Sequence, residues 1–181
     1  MDIDIKKRNI VFVDLEFTGP EIKHEIIELG CVVVNQPNFE IIDKWQTRIR
    51  PEHIENASSE SLSISGYDPE LWKDSISLKD ALLKFNEISQ DCILAGFNFG
   101  WDWMFLKKSY CELNLKPSFG HRMVDVMSIA FAKLYNEDFR EFSLEETCRY
   151  LKIERGKAHQ AYDDAYATYL LFLELMKNEK I

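Results

Sequence analysis

Two acidic side chains follow a run of apolar residues near the start of the chain. The segment VFVDLEFTGP, residues 11–20, places Asp14 and Glu16 two positions apart. Because side chains alternate across a β-strand, both carboxylates should project from the same side of the strand. The simplest interpretation is that strand-end acids turn into solvent. The alternative is that the two anions together hold a cation.

Two further acids stand at the top of helical stripes. The residues at helical spacing after Asp102 are mostly apolar: Phe105, Leu106, Ser109, Tyr110 and Leu113. The same steps from Asp164 reach another apolar row: Ala167, Thr168, Leu171, Phe172 and Leu175. Acids in a first helical turn commonly only offset the helix dipole. A core-facing carboxylate, however, is costly to bury without a cation or hydrogen-bond donors, so both acids are candidates for a site.

A divalent cation would explain all of these acids at once. Ligation by carboxylate oxygens suits Mg²⁺ or Mn²⁺ better than zinc or copper. His159 precedes Asp164 by five residues, a separation that would turn the two side chains roughly 140° apart on one helix. We therefore place His159 in a connecting loop, where it can reach the ions. The alternative is that His159 is a lone exposed histidine without a role. His24, His53 and His121 have no partner pattern, and we assign them no role.

These residues fall into motifs that resemble the DEDDh 3′–5′ exonucleases, the superfamily of proofreading exonucleases, ribonuclease T and oligoribonuclease. The first motif, DxExTG, is matched by DLEFTG at residues 14–19. The second is matched by Asn98, Asp102, Phe105 and Leu106, and the third, HxAxxD, by His159, Ala161 and Asp164. Three motifs in order, within a resemblance covering about residues 9–175, are far more specific than one. Phe97 departs from the pattern, because many relatives carry histidine there.

The resemblance implies a metal-dependent hydrolysis of nucleic acid from its 3′ end, releasing nucleoside 5′-monophosphates. It implies two ions, Mg²⁺ or Mn²⁺, with Asp14 bridging both. Glu16 and Asp164 would complete one ion site, and Asp102 would support the other through water. His159, with Glu16, is expected to act in catalysis, and an imidazole is suited to take a proton from water near neutral pH.

Substrate contacts are expected from residues beside the metal ligands. Phe17 could stack on the terminal base, although core packing is the equal alternative, and the backbone at Leu15 and Thr18 could meet the last sugar. Asn98 of the second motif completes the expected substrate-binding set. Arg155 could meet phosphate, but with Lys157 it is more simply a solvated loop charge. By the simplest interpretation, Asp125 is also only a helix cap, and Trp101 and Trp103 pack on a helix surface.

The order of the elements predicts an α/β fold. Residues 9–15, 24–35 and 39–51 favour three strands in an antiparallel meander, and strand–helix alternation follows. Strands are expected at 92–97 and 121–126, and helices at 68–72, at 77–88 with Ser77 near the cap, at 100–113, at 127–135, at 144–151 after Ser143, and at 161–177. The family implies the same architecture, a ribonuclease H-like fold with a five-stranded mixed sheet flanked by helices.

Composition limits the classes of protein. With 181 residues, 46% of them hydrophobic, the chain predicts one globular domain over 1–181. The net charge of −9 argues against coating long nucleic acid, but it allows an enzyme that grips a few nucleotides through metal. No secretory run or membrane span is expected, and four scattered cysteines suit free thiols in the cytoplasm.

The sequence therefore leaves three candidate functions. The leading one is an exonuclease on single-stranded or short RNA or DNA with a free 3′ end, with the choice between RNA and DNA open. The second is a nuclease-like binding module without catalysis, which would have no need of a buried cluster of charges. The third is a metal-dependent phosphatase acting on mononucleotides.

Overall fold

A single five-stranded sheet organises the molecule in the computed structural model, which describes residues 4–177. The strands lie in the order β3-β2-β1-β4-β5. Their bounds are β1 Ile10–Phe17, β2 Ile26–Val34, β3 Ile41–Arg48, β4 Ile93–Gly96 and β5 Met123–Asp125. The helices are α1 Ser59–Ser65, α2 Leu78–Ile88, α3 Gly100–Glu112, α4 Val126–Lys133, α5 Leu144–Tyr150 and α6 Ala161–Met176.

The sheet is mixed in the way that the sequence predicts. The strands β1, β2 and β3 form an antiparallel meander, and β2 is buried along its whole length. The strands β4 and β5 join in parallel, β4 beside β1 and β5 beside β4. Parallel neighbours need crossover connections, which the helical segments between them supply. The predicted α/β architecture with an antiparallel second strand is confirmed.

Helices cover both faces of the sheet, and β1 shows how the faces divide. Val11 and Val13 pack into a core with α2 and α3, whereas Ile10 and Phe12 pack into a second core with α4, α5 and α6. Because side chains alternate, Asp14 and Glu16 continue the row on the α6 face. The strand therefore brings both acids to the side of the sheet where the last helix lies.

The predicted helix caps are confirmed, but one predicted helix is wrong. Ser77, Asp125 and Ser143 each cap a helix, accepting a backbone N–H at the third residue beyond. The helix predicted at 68–72 is wrong, since this segment forms turns. The Asp68 carboxylate accepts the Glu70 N–H at 2.8 Å. This local turn competes with a helix, while the buried Trp72 indole donates to the Ile27 carbonyl at 3.0 Å.

Two further properties bear on the sequence predictions. No helix among residues 4–177 combines the length and apolar character that crossing a bilayer requires. The cysteines are free thiols, with Cys31, Cys92 and Cys148 buried and Cys111 exposed.

Candidate active site

The acids at the end of β1 lie in a poorly solvated place that disfavours their charged forms. Asp14 and Glu16 lie on the α6 face, just before a bulge in the pairing of β1 with β2. Burial, followed by the charges of Asp102, Asp164 and Glu16, raises the pKa of Asp14 well above its ordinary value. Burial and then the charge of Asp164 raise the pKa of Glu16 to about 8. The strand end is thus prepared for a cation that would neutralise these groups.

Asp102 is fixed to the open edge of β1. The pairing of β1 with β4 extends only to Phe12 opposite Ala95, so the later part of that edge is not covered by β4. The carboxylate of Asp102, in the first turn of α3, accepts the Leu15 N–H there at 3.0 Å. Burial raises the pKa of Asp102 to about 8, against the lowering effect of its backbone hydrogen bonds. Of the predicted stripe, Phe105, Leu106, Ser109 and Tyr110 are buried, and Leu113, just after the helix, is half-buried.

A glycine in β2 allows the helix that carries Asp164 to approach the sheet. Gly30 pairs with Asp14 in the β1–β2 register, and a Cβ at Gly30 would lie 2.1 Å from the Tyr162 nitrogen. The start of α6 therefore packs directly against the backbone of β2, next to Asp14. We did not predict this role from the sequence. The available signal was a glycine inside an otherwise apolar strand, which commonly marks a close backbone approach.

Asp164 is buried and already holds a cation from its own chain. The Arg155 guanidinium donates from Nε to Oδ1 at 2.7 Å and from Nη2 to Oδ2 at 2.6 Å. The His159 N–H donates to Oδ2 at 3.1 Å. The interpretation of Arg155 as a solvated loop charge is wrong, because its side chain is only 15% exposed. The apolar row that follows Asp164 along α6 is buried as predicted.

His159 lies in the loop before α6, as predicted, and its side chain is exposed. One possible ligand atom from each of Glu16, His159 and Asp164 lies within 4.8 Å of the other two. Carboxylate oxygens and a nearby imidazole form a suitable donor set for a hard divalent cation. Burial and the neighbouring carboxylates raise the pKa of Asp14 and Glu16, so a bound cation would stabilise their charged forms. The residues present therefore fit a bound metal.

A cavity of about 360 Å³ opens beside these acids. It lies between the ends of β1 and β4, the starts of α4 and α5, and the loop before α6. Its lining includes Asp14, Phe97, Asn98, Arg155, His159 and Asp164, together with Met127 and residues 141–144. Asn98 is exposed and adopts a positive φ of 53°, which directs the chain from β4 toward α3. This volume lies within the range of small-ligand pockets.

Of the other residues expected to bind substrate, Phe17 is partly accessible, whereas Leu15 and Thr18 are buried. Phe17 is half-buried and stacks on Phe105, with ring centroids 4.2 Å apart. Leu15 is buried in the core and its N–H is bonded to Asp102. Thr18 is buried, its N–H and Oγ1 bond Glu25, and its carbonyl accepts the Ser58 N–H. The predicted sugar contact therefore finds no free backbone N–H at Leu15 or Thr18.

The glycine of the first motif has a packing reason. A Cβ at Gly19 would lie 2.5 Å from the ring of His24. That ring is buried, and its Nδ1 accepts the Glu21 N–H at 2.8 Å. The Lys108 ammonium also donates to the His24 carbonyl at 2.8 Å. His24, which was assigned no role from the sequence, therefore helps to hold the turn after β1 against α3.

The profile of the exonuclease family RNase_T matches residues 11–172. The chain belongs to this family, and the predicted resemblance to DEDDh exonucleases is confirmed. The chain is 29% identical over 175 residues to a PolC-type DNA polymerase III of Thermotoga maritima, covering 92% of this chain and 12% of the polymerase. It is 28% identical over 180 residues to the 3′-5′ exonuclease DinG of Staphylococcus aureus, covering 93% and 18%. The match is thus confined to a small part of each relative.

Solved structures show the same fold. The chain superposes on E. coli Exonuclease I in complex with a dT13 oligonucleotide with a TM-score of 0.80 at 18% identity, covering 94% of this chain and 41% of that one. The nuclease domain of 3′hExo, a DEDDh family member bound to rAMP, gives a TM-score of 0.78 at 21% identity. That alignment covers 97% of this chain and 98% of the domain.

Proposed function

We propose that the chain removes nucleotides from the 3′ end of single-stranded or short nucleic acid and releases nucleoside 5′-monophosphates. The convergence of four acids from β1, α3 and α6 beside one cavity is the observation that carries this proposal. Asp14, Glu16 and Asp164, with Asp102 through water, would hold two Mg²⁺ or Mn²⁺ ions. When bound, such ions stabilise the charge that develops on the attacking and leaving oxygens of a phosphodiester.

The protein groups then have separate tasks. His159, exposed at the cavity and near Glu16 and Asp164, takes the proton from the attacking water. Asn98 lines the cavity and offers an amide to the terminal nucleotide. Phe17 is only half-buried beside Phe105 and is proposed to stack on the terminal base, a contact that is tolerant of base identity. We therefore expect little sequence preference.

The direction and the substrate class are supported by the named relatives. DinG is described as a 3′-5′ exonuclease, and one structural neighbour is described as recognising the 3′ end of a histone mRNA stem-loop. Exonuclease I binds a DNA oligonucleotide. Because the ligands named for these neighbours include both RNA and DNA, the experiment must compare the two polymers directly.

The test uses RNA and DNA oligomers of one sequence that carry a fluorescent label at the 5′ end. Each is incubated with Mg²⁺, with Mn²⁺, or with chelator, and the products are separated by length and by chromatography. The proposal predicts a ladder of shortened labelled oligomers together with nucleoside 5′-monophosphates, and no products with chelator. Asp14→Asn should abolish the ladder, because it removes one of the carboxylate charges that would hold the ions.

Other outcomes identify the alternatives. Immediate release of the labelled nucleotide would reverse the proposed direction. Release of free phosphate from mononucleotides, without shortening of oligomers, would favour the phosphatase. Binding of the labelled oligomer without shortening in either metal would favour the binding module.

A further inference from the structure

Arg155 occupies the carboxylate that the proposed metal site needs. Both oxygens of Asp164 accept from its guanidinium, at 2.7 and 2.6 Å, and the two side chains are 15% and 7% exposed. This two-point pairing of a planar guanidinium with a carboxylate is among the stronger polar contacts in proteins. Among residues 4–177, the other salt bridges involve none of Asp14, Glu16, Asp102 or Asp164.

The same guanidinium acts on Asp14 and Glu16 as well as on Asp164. Burial raises the pKa of Asp14 and of Glu16, and the charge of Arg155 partly opposes that effect at both residues. Arg155 therefore supplies the positive charge that a metal would otherwise supply. A divalent ion coordinated by Asp164 would meet this like charge on the same carboxylate, so the ion and Arg155 oppose one another there.

The loop that carries Arg155 has a second anchor, Asp163, which is separate from the Arg155 side chain. The Lys157 N–H donates to the Asp163 carboxylate at 2.8 Å. Gly156 packs so tightly against Asp163 that a Cβ there would lie 2.5 Å from its carboxyl carbon. The backbone at 156–157 is thus held by Asp163, whereas Asp164 holds the Arg155 side chain. The guanidinium also lines the open cavity, so it has space to move without release of the loop.

We infer that Arg155 is a built-in counter-ion that competes with the divalent cation for Asp164. It neutralises Asp164 in the metal-free protein and withdraws from that carboxylate when the ion binds. Arg155 is thus a positioning residue that sets the apparent metal affinity and stabilises the acid cluster when no metal is bound. The inference rests on the metal binding proposed above and adds a residue that the family motifs do not include.

The experiment measures Mn²⁺ binding and metal-free stability rather than turnover. Mn²⁺ is titrated into wild-type protein, Arg155→Gln and Arg155→Lys, with affinity read from calorimetry and from the electron spin resonance signal of free Mn²⁺. Melting temperature is measured in chelator. Arg149→Gln is the matched control, because it removes an arginine that is 71% exposed and paired with Glu145 on α5.

Loss of the Arg155 charge should tighten Mn²⁺ binding by about tenfold, within the roughly 5–150-fold range of coupling between two ligands. It should also lower the melting temperature in chelator. Arg155→Lys keeps the charge, so its affinity for Mn²⁺ should be closer to that of wild type than the affinity of Arg155→Gln is. Arg149→Gln should change neither the Mn²⁺ affinity nor the melting temperature.

The results separate the two proposals. Wild-type protein that binds Mn²⁺, with equal or weaker binding by Arg155→Gln, would overturn the role of Arg155 and leave the metal site intact. Failure of wild-type protein to bind Mn²⁺ would overturn the metal site itself, and the competition with it. Circular dichroism of each variant shows that the compared proteins are folded.

Discussion

Replacing Gly30 with alanine should move α6 away from the sheet and disable the site without touching any acid. A Cβ at Gly30 would lie 2.1 Å from the Tyr162 nitrogen and 2.3 Å from the Ala161 carbonyl carbon, whereas ordinary contact begins at 3.4 Å. The helix must therefore retreat by about 1.3 Å, the difference between 3.4 and 2.1 Å. Both contacts are with backbone atoms, so a change of side-chain rotamer cannot relieve them.

This displacement should lower both the stability of the fold and the rate of turnover, and its effect on turnover should be the larger one. Overpacking of this kind costs about 1–3 kcal/mol, which lowers the melting temperature by roughly 2–12 °C in a chain of this size. A misplacement of about 1 Å in a catalytic constellation can lower the rate about 100-fold. Because Asp164 rides on α6 and Asp14 is paired with Gly30, we expect a turnover loss near 100-fold at saturating Mn²⁺.

The assay is the shortening of a 5′-labelled oligomer, with circular dichroism and thermal melting on the same samples. Gly100→Ala is the matched control, since a Cβ there meets nothing within 4 Å. Because alanine favours the helical conformation more than glycine does, and Gly100 is the first residue of α3, this control should keep or slightly raise the melting temperature. Gly30→Ala with wild-type melting and wild-type turnover would refute the claim that this glycine sets the position of the acids.

Three further predictions concern chemistry, pH and substrate. His159→Ala should lower turnover by about 10²–10⁴-fold with metal saturating, while His53→Ala, whose side chain is 65% exposed, should not; equal turnover in both variants would remove His159 from the mechanism. Burial raises the pKa of Glu16 from 4.5, and of Asp102 from 3.8, to about 8. Between those values the unfolded chain releases protons that the folded chain retains, so metal-free stability should fall as pH rises from about 4.5 to 8. Each kcal/mol of stability lost would lower the melting temperature by roughly 2–4 °C. A melting temperature in chelator that stays constant or rises across this pH range contradicts the burial argument. Phe17→Leu should raise KM with little change in kcat, measured with short oligomers, and an unchanged KM assigns Phe17 to the core alone.

Periodicity was sufficient to predict much of the framework. The stripes that follow Asp102 and Asp164 are buried along α3 and α6, because an apolar face at helical spacing has few other places to go. The meander was equally readable, since β-branched runs separated by a short turn form adjacent strands. The segment at 68–72 misled because a carboxylate–backbone turn at Asp68 and a distant partner for Trp72 outweighed local helical texture.

The parts that could not be predicted depend on contacts between distant elements. Nothing local shows that Gly30 is met by the backbone of α6, or that the Leu15 N–H is taken by Asp102 from α3. Arg155 lies only nine residues before Asp164, but its burial follows from the conformation of a loop that carries no periodic signal. The motifs identified the four acids, but only the folded structure shows that the Arg155 guanidinium lies among them.

The most direct measurement of the central claim is anomalous diffraction from crystals soaked in Mn²⁺. The proposal predicts two anomalous peaks at the carboxylates of β1, one of them in contact with Asp14, Glu16 and Asp164, and the Arg155 guanidinium withdrawn from Asp164. Manganese peaks elsewhere on the protein, with the four acids free of them, would contradict it.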